Sequence, residues 1–485
     1  MHYIDLIIFI IYFLVMIGVG YYFFKKNKTD EDFYVGGRDI GKWHIGLSVV
    51  ATDVGGGFSI GLGGLGFTIG LSGSWLLFTG LIGAWLSAVI LIPKVWKLSN
   101  LKSLMTFPQL FEHFYNAKVA FVAGIISAIG YIGFTSSQML AGAKLADAAF
   151  PTINLHTAIV IMGIIIIGYT VLGGLKAVIF TDMIQWSVLI IGLLFIGLPV
   201  TYNALGGWEV ISTSLPDNFF SLSNVTWQQL LNWTVTIVPI WFVGMTLYQR
   251  IYASKSAKEA QKAWFIAGLF EWPVMAFLGV TFGLLARVAL VNGLFQHLGY
   301  SDPNSMDPEL GLPLLLVNVL PVGLLGILMS AYFSAIMSTA DSCLMAASGN
   351  VLTDIYLKFN RSAKRNISNI RLSQIITLVL GVFAVLLAVK MTNVLDLMMY
   401  SYAFMVSGLF IPVIGALYLK NIYPTAALAS MIVGGGTTIS LIIFQIPLPL
   451  NLDPNIFGIS LSAITFFTIN KLLTIQQKNY GNQNI

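Results

Sequence analysis

Apolar stretches of about 18 residues or more follow one another through nearly the whole chain. At a helical rise of ~1.5 Å per residue, each is long enough to cross the hydrocarbon core of a bilayer. Inside hydrocarbon every backbone N–H and C=O needs a partner within the protein, so only helices and closed barrels span it. The stretches lack the ~10-residue alternation of barrel strands, and the sequence therefore predicts an all-α polytopic membrane protein. Charge content agrees. Only 9% of the 485 residues are Asp, Glu, Lys or Arg and 57% are hydrophobic, against roughly 25% charged in a soluble domain. So few charges cannot make a water-facing surface for a chain of this length, and most of the surface must face lipid. The single cysteine, Cys343, excludes a disulfide framework and Cys-based zinc or iron–sulfur centres, and its apolar setting reads as packing. The first residues read as a retained span, because 3–24 is long enough to cross and Lys25, Lys26 and Lys28 follow it.

Thirteen transmembrane helices are predicted, at about 3–25, 43–71, 73–96, 119–149, 155–173, 177–204, 228–252, 262–292, 312–352, 368–389, 393–419, 424–446 and 454–474. The ninth is too long for one straight crossing and is expected to tilt or to continue into the cytoplasm. With the N-terminus outside, the inner segments hold 22 of the 25 Lys and Arg residues. The long outer loops, 205–227 and 293–311, hold Glu209, Asp217, Asp302, Asp307 and Glu309 and no basic residue. This positive-inside bias predicts an outer N-terminus and a cytoplasmic C-terminus. It also accounts for the formal charge of +5 without a nucleic-acid partner. No stretch is long enough for a soluble output domain, so function is expected within one transmembrane domain, 1–485, in a cell (plasma or inner) membrane.

A charge deep in a span costs at least ~2.5–3.5 kcal/mol and needs a reason. Glu271, Asp396, Lys144, Asp147 and Arg287 lie nearer helix ends or lack polar sequence neighbours, and pairing or snorkelling would explain them. Asp53 lies in Ala51-Thr52-Asp53-Val54-Gly55-Gly56-Gly57-Phe58-Ser59, and seven glycines fall between 55 and 66. Each glycine costs about 1 kcal/mol in a helix, so a break near 53–57 is expected. A break frees backbone groups to bind an ion or a solute headgroup at membrane depth. Close helix packing through small residues is the alternative. In Ala335-Ile336-Met337-Ser338-Thr339-Ala340-Asp341-Ser342, positions 335, 338, 339 and 342 share one helix face. Hydroxyls with one nearby carboxylate suit a hard cation that must be released, although an isolated Ser or Thr usually bonds its own helix. Asp182, in Thr181-Asp182-Met183-Ile184-Gln185, either answers the dipole of its helix start or completes a cation site beside the 335–342 face.

These features together resemble the sodium/solute symporter family, whose members couple glucose, proline, pantothenate, sialic acid or choline to sodium. The resemblance covers about 5–475 and is most specific at Gly173–Gln185 (GGLKAVIFTDMIQ) and Ala335–Ser342 (AIMSTADS), with Leu247–Gln261 (LYQRIYASKSAKEAQ) similar to the family's inner loop. It implies a LeuT-like fold of two inverted five-helix repeats, 43–204 and 228–419, preceded by the extra helix 3–25 and followed by two helices in 424–474. The first repeat would open on the glycine-broken helix and the second on one interrupted near Pro239. The resemblance places the main Na+ site on Ala51, Val54, Ala335, Ser338 and Thr339. It places a second cation site on Asp182, Ser338, Asp341 and Ser342, where Asp341 replaces a family hydroxyl. Candidate solute contacts are Asp53, Gly55, Gly56, Phe58, Trp75, Phe134 and Trp241. Proline-type members carry an Asp at the position of Asp53.

The expected function is sodium-coupled symport of a small organic solute (an amino acid, choline-like cation, sugar or carboxylate) into the cell by alternating access, without enzymatic activity. A proton-coupled symporter of the same fold, with Asp182 or Asp341 as carrier, is the nearest alternative. An ion channel would need a repeated filter segment, and an intramembrane aspartyl protease would need paired aspartates. The sequence displays neither signature.

Overall fold

Long helices form wherever the apolar runs allow. The computed structural model describes residues 2–26, 36–150, 152–172, 175–359 and 369–482. The principal helices are α1 (Tyr3–Lys26), α2 (Lys42–Asp53), α3 (Gly55–Ile69), α4 (Trp75–Ile90), α5 (Ala117–Ala149), α6 (Leu155–Leu172), α7 (Leu175–Gly192), α8 (Trp227–Val243), α9 (Met245–Ala253), α10 (Ala257–Leu269), α11 (Ala276–Val291), α12 (Leu324–Gly349), α13 (Asn369–Ala388), α14 (Val394–Tyr418), α15 (Pro424–Ile443) and α16 (Pro454–Asn482). Shorter helices fill the connections.

Among the described residues, nine helices are long and apolar enough to cross a bilayer, and ten with the bent pair α8–α9. Tyr3–Met16 of α1 and Leu155–Val171 of α6 are further, shorter apolar stretches among the described residues.

Four interruptions shape the bundle. Val54 separates α2 from α3, and Gly55 follows with φ +43°. A side chain there would be strained, and its β-carbon would overlap Thr339 of α12. The second interruption bends α8 against α9 by 42° at Gly244. The expected position near Pro239 is corrected: Pro239 lies inside α8. The third joins α10 to α11 through Phe270–Met275, where Trp272 is extended (φ −137°, ψ 122°) and Pro273 lacks an N–H. The fourth corrects the long ninth span, which is two helices, Gly311–Val319 and α12, parted by a turn whose Gly323 has φ +89°. Buried Asp5 of α1 closes this turn, with the Gly323 and Gly326 N–H groups donating to its Oδ1 at 2.6 and 2.9 Å.

Lys144, near one end of α5, is buried. Its ammonium pairs with Asp307 at 2.5 Å and Glu309 at 2.6 Å. Glu309 also accepts from the Val394 and Leu395 N–H groups at the start of α14. One intramembrane charge is thus explained as the tie between a connecting loop and two helices.

Candidate functional site

The breaks of α2–α3 and α8–α9 are both held by α5. The Gly57 N–H donates to Gln138 Oε1 at 3.0 Å, and the Thr246 N–H donates to the Tyr131 hydroxyl at 3.0 Å. Tyr131 and Gln138 are seven residues apart on α5 and so share one helix face. Each satisfies an amide that the break exposes at a helix start. A second contact between Tyr131 and the Thr246 hydroxyl, 3.0 Å, closes the arrangement.

Against the first break lies α12. Thr339 Oγ1 donates to the Ala51 carbonyl at 3.0 Å and the Ala335 carbonyl at 3.1 Å, and Ser338 Oγ donates to the Ala335 carbonyl at 3.2 Å. Four of the five residues expected at the main sodium site are therefore joined by hydrogen bonds. The fifth, Val54, is the buried link between α2 and α3. The donor set is neutral oxygen only, which suits a hard monovalent ion bound reversibly.

The second cluster contains a residue the sequence reading had counted as an inner-loop charge. Arg250 of α9 is fully buried. Its Nη2 meets Asp182 Oδ2 at 3.2 Å, Ser342 Oγ at 3.1 Å and Thr52 Oγ1 at 2.5 Å. Its Nε donates to Ser48 Oγ at 3.0 Å and its Nη1 to the Thr246 carbonyl at 3.1 Å. Asp182 also accepts from Ser48 at 2.5 Å. The structure thus brings Asp182 and Ser342, with Ser48 and Thr52, together around a guanidinium, whereas Ser338 bonds the Ala335 carbonyl. Asp341 turns to α6 instead, accepting from Thr170 Oγ1 at 2.6 Å.

Asp53 ends α2 beside the break. Its Oδ1 accepts from the Tyr402 hydroxyl of α14 at 3.4 Å. Phe134 packs edge-on against Tyr402 at 5.0 Å. Trp241 is fully buried against Trp264 and Gly83. Trp75 donates its Nε1–H to the Leu222 carbonyl at 2.8 Å and packs on Phe78, which seats a loop. Gly56 lies in the first turn of α3. The side chain of Phe58, and Gly173 and Gly174 of the longest motif, lie outside the described residues. Gln138, Tyr131, Tyr402, Arg250 and Glu271 were not picked out as site residues from sequence. Arg250 and Glu271 had a usable signal, each being a charge inside an apolar run.

The model of the sodium:solute symporter family matches residues 33–434. The chain belongs to that family. The osmoregulated proline transporter OpuE of Bacillus subtilis (strain 168) is 27% identical over 448 residues, covering 88% of this chain and 87% of OpuE. A sodium/proline symporter of Staphylococcus aureus (strain JH9) is 26% identical over 486 residues, covering 95% and 91%. Among solved structures, a Na+-coupled sialic acid symporter in its substrate-bound outward-open state superposes with a TM-score of 0.77 at 21% identity over 97% of this chain and 98% of that one. Mhp1, a nucleobase-cation-symport-1 family transporter in a closed conformation, gives 0.57 at 14% identity over 91% and 94%. The LeuT-like fold class holds. This member of the sodium:solute symporter family is a multi-pass transporter rather than an enzyme, and it moves a small solute coupled to Na+.

Proposed function

We propose that the chain imports a small organic solute of amino-acid size together with one sodium ion. The supporting observation is the Ala51–Thr339–Ala335–Ser338 oxygen cluster at the break of α2 and α3. Sodium held by the carbonyls of Ala51, Val54 and Ala335 and the hydroxyls of Ser338 and Thr339 ties the broken helix to α12. The solute takes the neighbouring space beside Asp53, Gly55 and Phe134, with the Gln138-capped start of α3 fixing the backbone. The units that move are the two repeats, 43–204 and 228–419. Support for that division is that each contains one of the breaks held by α5, at Val54 and Gly244.

One ion rather than two is favoured by Arg250, whose guanidinium already neutralises Asp182 and contacts Ser342. A single sodium ion moving down ~100 mV supplies about 2.3 kcal/mol, enough for roughly 50-fold accumulation before any sodium concentration term. Proline is the solute named for the curated relatives, which favours an amino acid over a sugar. The basic-residue pattern favours an outer N-terminus in the cell membrane. The test is uptake by proteoliposomes across a sodium series. Ser338→Ala and Thr339→Ala should each raise the half-saturating sodium concentration at least tenfold, and an unchanged sodium response in both sinks the assignment.

A further inference from the structure

Helices α6 and α13 pack closely over their deeper turns and part toward the end of the bundle that the loop charges assign to the cytoplasm. Glycines set the close part. A β-carbon on Gly163 of α6 would overlap Val385 of α13, and one on Gly381 of α13 would overlap Ile167 of α6. Further along α6, a β-carbon on Gly168 would meet nothing within 4 Å. The opening is a groove of about 620 Å³, walled by Ile167, Gly168 and Val171 on one side. On the other side stand Arg371, Gln374, Ile375 and Leu378 of α13. Their spacing, i, i+3, i+4 and i+7, makes one stripe along that helix. Gln374 ties the two walls, donating its Nε2–H to the Val171 carbonyl at 3.1 Å. Ile375 and Leu378 are 59% and 51% exposed, so the groove opens sideways onto lipid.

The stripe is polar at one end only. Arg371 stands in the first turn of α13, and Leu378 lies ~10 Å deeper at ~1.5 Å per residue. Arg371 is exposed and makes no hydrogen bond or ion pair among the described residues. No Asp or Glu lines the groove. A cation at the interface, then an amide, then an apolar trough matches a phosphate ester followed by an acyl chain. A guanidinium holds phosphate oxygens through paired N–H donors, and the start of α13 adds the positive end of its dipole. With no carboxylate on the walls, nothing receives the ammonium of a zwitterionic headgroup. The groove therefore favours a headgroup of net negative charge.

We propose that the groove between α6 and α13 is a site for one anionic phospholipid of the inner leaflet, with its phosphate on Arg371 and an acyl chain along Ile375 and Leu378. The lipid fills the wedge between the two helices. On its buried face α6 carries Thr170, whose hydroxyl bonds Asp341 of α12 at 2.6 Å, two residues beyond Thr339. The lipid thus braces the helix that backs the sodium-binding face, and it stabilises the folded chain by mass action. A second groove at the same end, beside Lys94 and Lys97 of the helix Ile92–Lys102, is less open to a phosphate. There Lys94 is committed to the Leu417 carbonyl at 2.9 Å and to the ring of Tyr418.

The test is native mass spectrometry of the full chain in a maltoside detergent, titrated with dioleoyl phosphatidylglycerol or dioleoyl phosphatidylcholine, with thermal unfolding of the same samples. The first phosphatidylglycerol should bind about fivefold more tightly than the first phosphatidylcholine and should raise the unfolding temperature more. Arg371→Gln should bring phosphatidylglycerol down to the phosphatidylcholine level, and Arg371→Lys should keep part of the preference. Gly168→Leu fills the trough from a position with open space before it, and should weaken the first lipid of either kind. Lys97→Gln, a charge lost from the other groove, should leave the preference intact. Unfolding of each variant without lipid reports that it is folded; if one of Arg371→Gln and Gly168→Leu is not, the other decides. Glycerol 3-phosphate carries the phosphate without the chains and should not displace the lipid. Equal binding of the two lipids by the wild type, a preference that survives Arg371→Gln, or first-lipid binding unchanged in Gly168→Leu overturns the proposal. So does displacement by glycerol 3-phosphate, or a loss in Lys97→Gln as large as in Arg371→Gln, because general surface charge would then be the cause.

Discussion

Arg250→Met removes a buried cation and with it five hydrogen bonds, to Ser48, the Thr246 carbonyl, Thr52, Asp182 and Ser342. Methionine fills most of the volume, so the dominant loss is electrostatic. Asp182 stays buried, fully enclosed, without its counter-charge, and breaking a buried pair from one side costs about 3–5 kcal/mol. The variant also leaves four oxygen-bearing side chains, Ser48, Thr52, Asp182 and Ser342, around the place of the guanidinium. Sodium can bind there. At a concentration ~100 times its dissociation constant it returns about 2.7 kcal/mol. Thermal unfolding of purified protein should therefore show a large loss in potassium chloride and a smaller one in sodium chloride of equal ionic strength, beyond the wild-type difference. The double variant Arg250→Met/Asp182→Asn should recover much of the loss in potassium, since no buried charge remains. Arg250→Lys should not rescue fully, because a point-charge ammonium cannot reproduce the forked contacts. Wild-type stability in Arg250→Met, or equal destabilisation of the single and double variants, would refute the reasoning.

Other expectations follow from the same geometry. Lys144→Met strands Glu309 in its buried position and should lower stability by about 3 kcal/mol or more, read by chemical or thermal unfolding; Glu309→Gln in the same background should recover part of it. Asp453, before α16, has its carboxyl pushed up to about 6 by burial and then by Asp396 facing it, with Tyr400 of α14 the other titratable neighbour on that wall. As the outer pH falls through 6 the carboxylate is neutralised and the cavity it lines with Asp396 and Tyr400, between α8, α14 and α16, loses a negative charge. The half-saturating concentration of a cationic solute should rise between pH 7 and pH 5, and Asp453→Asn should flatten that rise.

The membrane class and the broken second helix were legible because they depend on local sequence. Apolar length and the glycines from 55 to 66 act within one segment. The face formed by Ala335, Ser338 and Thr339 was legible for the same reason, since helical spacing alone aligns it. What escaped depends on tertiary contact. Arg250 reads as one more inner-loop basic residue until α9 folds onto α2, α7 and α12. Glu271 reads as a lone acid near a helix end, and its full burial against Gly80 of α4 exists only because separate helices pack there. The split of 312–352 had a local signal in Pro321 and Gly323, which the apolar length masked. The second helix break fell at Gly244 rather than near Pro239, since a proline can remain inside a bent helix while a glycine allows the chain to leave it.

The most direct test of sodium-coupled symport is accumulation of labelled proline or another small amine by proteoliposomes under an inward sodium gradient, with an equal potassium gradient as the comparison. The account predicts transient accumulation above the outside concentration with sodium only, collapsing when the gradient is dissipated and absent in Ser338→Ala/Thr339→Ala. Equal accumulation in potassium, or accumulation untouched by the double substitution, would contradict it.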